Sequence, residues 1–120
     1  SDVCSSDLAT SRLLRSLGYR VLPFQRPTEA LHAIRNAPDC FDVLITDFNM
    51  PQMSGIDLVQ AIREWRSEVP TALASGNLSE DMRARALAAG VREFIYKPAG
   101  IDELSAVIRR LLRQPEVARQ

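Results

Sequence analysis

Apolar residues along the chain switch repeatedly between helical spacing and short continuous runs, and the switches are punctuated by Gly, Pro and Asn. From Ala9 the pattern predicts a helix to about Leu17 stopped by Gly18, then a strand at Tyr19 to Phe24. A helix follows from about Thr28, a plausible N-cap, to Asn36. The run Phe41 to Thr46 reads as a buried strand. A helix from about Gly55 to Arg66 places Ile56, Leu58, Val59, Ile62 and Trp65 largely on one face, with Pro70 beyond its end. A short strand at Thr71 to Ala74 leads into Ser75-Gly76-Asn77, and Ser79 caps an Ala-rich helix that Gly90 terminates after Ala89. The strand Glu93 to Tyr96 precedes Lys97-Pro98. A last helix carries Ile101, Leu104, Val107, Ile108, Leu111 and Leu112 on one stripe, before a tail over residues 114–120.

Strands alternating with helices predict an α/β fold with a parallel sheet and right-handed crossovers. At 120 residues and 46% hydrophobic content the chain is sized for one domain. Lys plus Arg and Asp plus Glu number 15 each, so no overall positive field draws it to nucleic acid or anionic lipid. No apolar run approaches the roughly 20 residues that cross a bilayer, and no cleavable leader is evident; the expected location is the cytoplasm. Cys4 and Cys40, with His32 the one histidine, lack zinc-ligand spacing and form no disulfide framework; Cys40 reads as a half-buried thiol.

The most informative stretch is Phe41 to Gly55, FDVLITDFNMPQMSG. Its apolar, β-branched run stops at Asp47, which places one carboxylate at the carboxyl end of a buried strand, where ligands gather in open parallel sheets. On spacing alone Asp47 could equally cap a turn or a helix. The motif D-x-x-M-P-x-M-x-G, here Asp47, Met50, Pro51, Met53 and Gly55, closely resembles the phosphorylation loop of response-regulator receiver domains. The resemblance extends from Ala9 to about Arg113.

That resemblance implies a flavodoxin-like, doubly wound (βα)5 sheet of strand order 2-1-3-4-5. It makes Asp47 the phosphoacceptor and a magnesium ligand, with the backbone carbonyl of Asn49 as a second ligand. Lys97 matches the receiver lysine that pairs with the acceptor and its phosphoryl group, and Pro98 the proline after it, often joined by a cis bond. Ser75 matches the switch hydroxyl and Phe94 the aromatic switch position. Asn49 and Asn77 occupy positions that tune how fast water removes the phosphoryl group. The implied partners are a sensor histidine kinase or phosphotransfer domain, with a downstream protein or a second copy meeting the last strand and its flanking helices. The phrasing around Ser75 and Lys97 looks most like receivers fused to hybrid sensor kinases. No catalytic activity beyond slow self-dephosphorylation is expected of this chain.

The first eight residues, SDVCSSDL, show neither strand alternation nor helical periodicity. They coincide with a translation of the short-read adapter end TCAGACGTGTGCTCTTCCGATCT, and on that reading residues 1–8 are a non-native scar, leaving 9–113 as the receiver. The first and central strand would then be missing. Counting back from Gly18 places the family's acidic metal pair near Ser1 and Asp2, so that Asp2 would mimic a ligand only by accident. The expected consequences are weak magnesium binding and a poorly stable chain whose Tyr19 and Phe41 strands flank a gap.

The remaining candidates read as structural. His32 lies in a helical stretch, Met50 and Met53 pack the motif, and Arg109, Arg110 and Arg113 suit the end of a helix and a solvated face. Two rivals remain. One is a receiver-like binding module that signals without phosphate. The other is an aspartyl-phosphate hydrolase of the haloacid dehalogenase type, which wants a second Asp where this chain has Asn49.

Overall fold

A computed structural model describes residues 2–6, 8–36, 41–50, 53–65 and 69–113. Five strands alternate with five helices: β1 (Asp2–Ser5), α1 (Leu8–Ser16), β2 (Arg20–Pro23), α2 (Pro27–Asn36), β3 (Val43–Asp47), α3 (Gly55–Trp65), β4 (Thr71–Ser75), α4 (Glu80–Ala89), β5 (Glu93–Tyr96) and α5 (Ile101–Arg113). All pairings are parallel, in the order β2-β1-β3-β4-β5. The expected sheet order and fold class are thus found.

The expectation of a missing central strand is corrected. Residues Asp2–Ser5 are that strand, in register with both neighbours, Val3 opposite Val21 on one side and Val43 on the other. A central parallel strand is covered on both faces, so it needs no apolar–polar alternation. Successive side chains point to opposite faces. Val3 joins Leu14, Val43, Ile45, Leu104, Val107 and Ile108 under α1 and α5, whereas Cys4 joins Phe24, Ala30, Ile34, Leu44 and Leu58 under α2 and α3. Both are fully buried. Burial raises the Cys4 thiol pKa to about 12. Phe24 N donates to Ser5 O, Ser6 N to Ile45 O and Asp42 N to Asp2 O, so β1 leaves no open gap between its neighbours.

The other elements follow the pattern closely. Gly18 (φ 97°) turns the chain after α1. Helix α2 starts one residue before Thr28, which is therefore not its N-cap. Pro27 opens it, consistent with a fixed φ and no donor to satisfy, and the Glu29 carboxylate reaches back to Gln25 N and Arg26 N at 2.8 and 3.2 Å. These two donors hold the Glu29 carboxyl below its usual range. Ser79 caps α4 by accepting from Met82 N, and left-handed Gly90 (φ 111°) closes it by donating to Ala86 O and Leu87 O. On α3, Ile56, Leu58, Val59 and Ile62 are buried; the side chain of Trp65 and the whole of Cys40 lie outside the described set.

Candidate functional site

Three strands end at one place. Asp47 closes β3, Ser75 closes β4 and Lys97 follows β5, and with Asn49, Ala74 and Gly76 they line a cleft of about 170 Å³. Their convergence follows from register, because Asp47 sits opposite Ala74, and Ser75 opposite Tyr96. Lys97 N then donates to Ser75 O, fixing the lysine beside the serine.

Lys97, the chain's single lysine, brings its ammonium to 2.5 Å from Asp47 Oδ1. Oδ1 is buried from solvent and accepts no aligned hydrogen bond among the described residues, so the charge pair is its main contact. The Asp47 backbone is held independently. Its N–H donates to Ser6 Oγ at 2.7 Å, and Thr46 Oγ1 donates to Asp47 O at 3.1 Å. Phe48 N bonds Ala74 O and Gly55 N bonds Phe48 O, drawing the loop back over the strand end. Gly55 is obligatory there, because a Cβ would strike the Asp47 carbonyl and Leu73. The Lys97–Pro98 bond is cis.

Ser75 is buried and its hydroxyl is already engaged within its own loop, donating to Asn77 O at 2.9 Å and accepting from Asn77 N at 3.2 Å. It borders the cleft without being bonded to Asp47. Asn49 and Asn77 are exposed, Asn49 on the cleft wall. Phe94 is half-buried beside Ile56, Val59 and Leu73. His32 is exposed and pairs with Asn36, as expected of a helix-surface residue, and Arg110 meets Glu93 at 2.9 Å on the surface. Pro51 is outside the described residues.

One expectation about the site is overturned. Asp2 lies at the opposite end of β1, about 16 Å from the level of Asp47 at the usual strand rise, where it pairs with Arg20 at 2.7 Å. Helix α1 is only nine residues long, so counting back from Gly18 by the family's spacing overshoots. The described residues at the carboxyl end of β1 are Ser5 and Ser6, and Ser6 contributes a hydroxyl to the Asp47 backbone. No motif predicted that contact. The available signal was the change from apolar Val3-Cys4 to polar Ser5-Ser6, which parallels the change at Thr46-Asp47.

Residues 6–109 match the family model described as the response regulator receiver domain. The chain belongs to this family. It is 36% identical over 115 residues to the transcriptional regulatory protein PrrA of Mycobacterium tuberculosis, covering 95% of this chain and 47% of PrrA. It is 32% identical over 113 residues to the sensor protein EvgS of Escherichia coli, covering 94% of this chain and 9% of EvgS. The chain therefore spans about half the length of PrrA, or less of longer relatives. The structure superposes on Vibrio cholerae chemotaxis protein CheY4 with a TM-score of 0.86 at 28% identity, covering 93% of this chain and 98% of that one.

Receiver domains of this family generally bind Mg2+ and interact with histidine kinases or phosphotransfer domains. Asp47 Oδ1, lacking an aligned donor and facing the cleft with Asn49, fits a hard cation that takes one carboxylate, a carbonyl and waters. Among the described residues no group of three His, Cys, Asp or Glu side chains converges, and the one acid in the cleft is neutralised by Lys97. Among those same residues no helix is long and apolar enough to cross a membrane.

Proposed function

We propose that Asp47 of this receiver accepts a phosphoryl group from a histidine kinase or phosphotransfer partner. The observation that carries the reading is the convergence of the Asp47 carboxylate, the Lys97 ammonium and the Ser75 hydroxyl on one cleft. An Asp47 carboxylate oxygen attacks phosphorus, the P–N bond to the donor histidine breaks as the new P–O bond forms, and the departing histidine nitrogen takes a proton from solvent. Lys97 then faces the transferred oxygens, which are the charged groups nearest its ammonium. Ser75 exchanges Asn77 O for a phosphoryl oxygen as its loop closes. The Asp47 carboxylate and the Asn49 carbonyl would hold a magnesium ion, which would supply positive charge against the charge developing in the transfer; low affinity is expected for this chain.

Closure of the Ser75 loop and inward movement of Phe94 shift the population toward a state whose α4–β5–α5 surface binds a partner. Asn49 and Asn77 set the access of water, and catalysis by the domain is limited to slow loss of its own phosphoryl group. The likeness to EvgS supports placement beside a sensor kinase, and with it a cytoplasmic location. One observation favours a second reading, a module that signals without phosphate: Ser5 and Ser6 stand at the end of β1, where the family carries acids.

Intact-mass analysis after incubation with magnesium and a small phosphodonor tests the choice. Phosphate acceptance requires a single phosphoryl adduct, absent in Asp47→Asn and dependent on magnesium. A folded chain without adduct, together with an adduct-competent Ser5→Asp/Ser6→Asp variant, would establish the phosphate-independent reading.

A further inference from the structure

Arg83 on α4 occupies an unusual place relative to the switch. Its guanidinium carbon lies 4.5 Å from the centre of the Phe94 ring, and its Nη1 donates to Tyr96 Oη at 2.6 Å. One side chain therefore grips two alternate residues of β5. Tyr96 is the residue opposite Ser75 in the β4–β5 ladder, and the next residue, Lys97, bonds Ser75 O. At its other end Arg83 belongs to the first turn of α4, where its N–H donates to the carbonyl of Ser79, the cap residue that ends the Ser75 loop. Arg83 thus closes a ring that runs from Ser75 through the loop to α4, across to β5 and back to Ser75.

In this arrangement the Ser75 hydroxyl is spent on Asn77. To reach a phosphoryl group on Asp47 the hydroxyl must leave Asn77, in a loop whose far end, Ser79, is tied to the α4 turn that Arg83 fastens to β5. We propose that Arg83 is a positioning residue that latches the resting state, so that phosphorylation of Asp47 and release of the Arg83 grip oppose one another. This rests on the phosphoacceptor reading of Asp47. A contact made only in the resting state lowers the population of the other state, and if Asp47 reacts from that other state the rate of adduct formation falls with its population. A cation held over an aromatic face and a charge-assisted hydrogen bond are each modest when exposed, which suits a latch that must open.

The sign of the effect separates a latch from a simple structural support. Removing a support leaves phosphorylation unchanged or impaired, whereas removing a latch enhances it. The test compares the full chain with Arg83→Ala, Arg83→Lys and Tyr96→Phe by the rate of adduct formation with a small phosphodonor, and separately by amide hydrogen exchange without phosphodonor. Arg83→Ala should raise the adduct rate about fivefold and speed exchange in residues 76–79 and 94–96. Tyr96→Phe, which keeps the ring but loses the hydroxyl, should give a smaller rise. Arg83→Lys, which retains a cation over Phe94, should return most of the wild-type behaviour. An unchanged or lower adduct rate in a folded Arg83→Ala chain would overturn the proposal, as would wild-type exchange in both segments. Failure of every chain to form adduct, wild type included, would instead refute the phosphoacceptor reading, and the exchange comparison would still decide whether Arg83 holds the loop.

Discussion

Val3→Ala is the substitution that best probes whether residues 2–5 are the central strand. The Val3 side chain is 0% exposed and packs among Leu14, Val43, Ile45 and Ile108. Truncation to Ala removes two methyl groups' worth of buried surface, about 1.6 kcal/mol of transfer free energy, and a cavity term brings the expected loss to about 2–3 kcal/mol. For a domain of this size that lowers Tm by about 8–12 °C. Leu8→Ala is the matched control, since Leu8 is 53% exposed and its truncation should cost under about 0.5 kcal/mol. Urea titrations and thermal melts followed by circular dichroism give both quantities. The wild-type melt should be a single cooperative transition, because β1 is bonded on both sides. Equal stability of Val3→Ala and Leu8→Ala would refute the placement of residues 2–5 in the sheet.

Three further outcomes follow from local geometry. Gly55→Ala should destabilise the fold by about 1–3 kcal/mol through collision with the Asp47 carbonyl and Leu73, and should slow adduct formation at Asp47; unchanged melts and rates would contradict the close approach. Ser11→Ala should stabilise the chain by about 1 kcal/mol, because Ser11 Oγ is buried without a partner among the described residues and Ala is the better helix former; a loss of stability in urea titration would show a hidden partner. The Glu29 carboxyl sits below its ordinary value in the folded chain because it accepts from Gln25 N and Arg26 N, so its contribution is fully present above the unfolded pKa and is lost as pH falls through the lower folded one. Glu29→Gln should accordingly flatten the acid limb of a stability–pH profile below about pH 4.5, and an unaltered limb would contradict the cap.

Much of the site was legible because its parts lie at fixed points of a strongly patterned chain. The abrupt end of an apolar run at Asp47, the Ser-Gly turn after β4 and the Lys-Pro pair after β5 each mark a strand end, and parallel topology alone brings such ends together. What stayed hidden has physical reasons. A four-residue strand buried on both faces carries no periodicity, so only the change from apolar Val3-Cys4 to polar Ser5-Ser6 marks Asp2–Ser5 in the sequence. Because α1 has only nine residues, the carboxyl end of β1 lies closer to Gly18 than the family's spacing implies. Helix α2 begins at Pro27 rather than after a Thr28 cap, and Pro27 itself carries the signal for a first helical residue. The Ser6 and Arg83 contacts join residues 41, 11 and 13 positions apart, and only packing brings such pairs together.

Borohydride trapping identifies the residue that carries the phosphoryl group. Reduction of an acyl phosphate leaves homoserine at the modified position, which peptide mass mapping locates. After incubation with magnesium and phosphodonor, homoserine is expected at residue 47 and at no other aspartate. Homoserine at Asp42 or Asp57, or a phosphoryl group that resists borohydride on a folded chain, would contradict it.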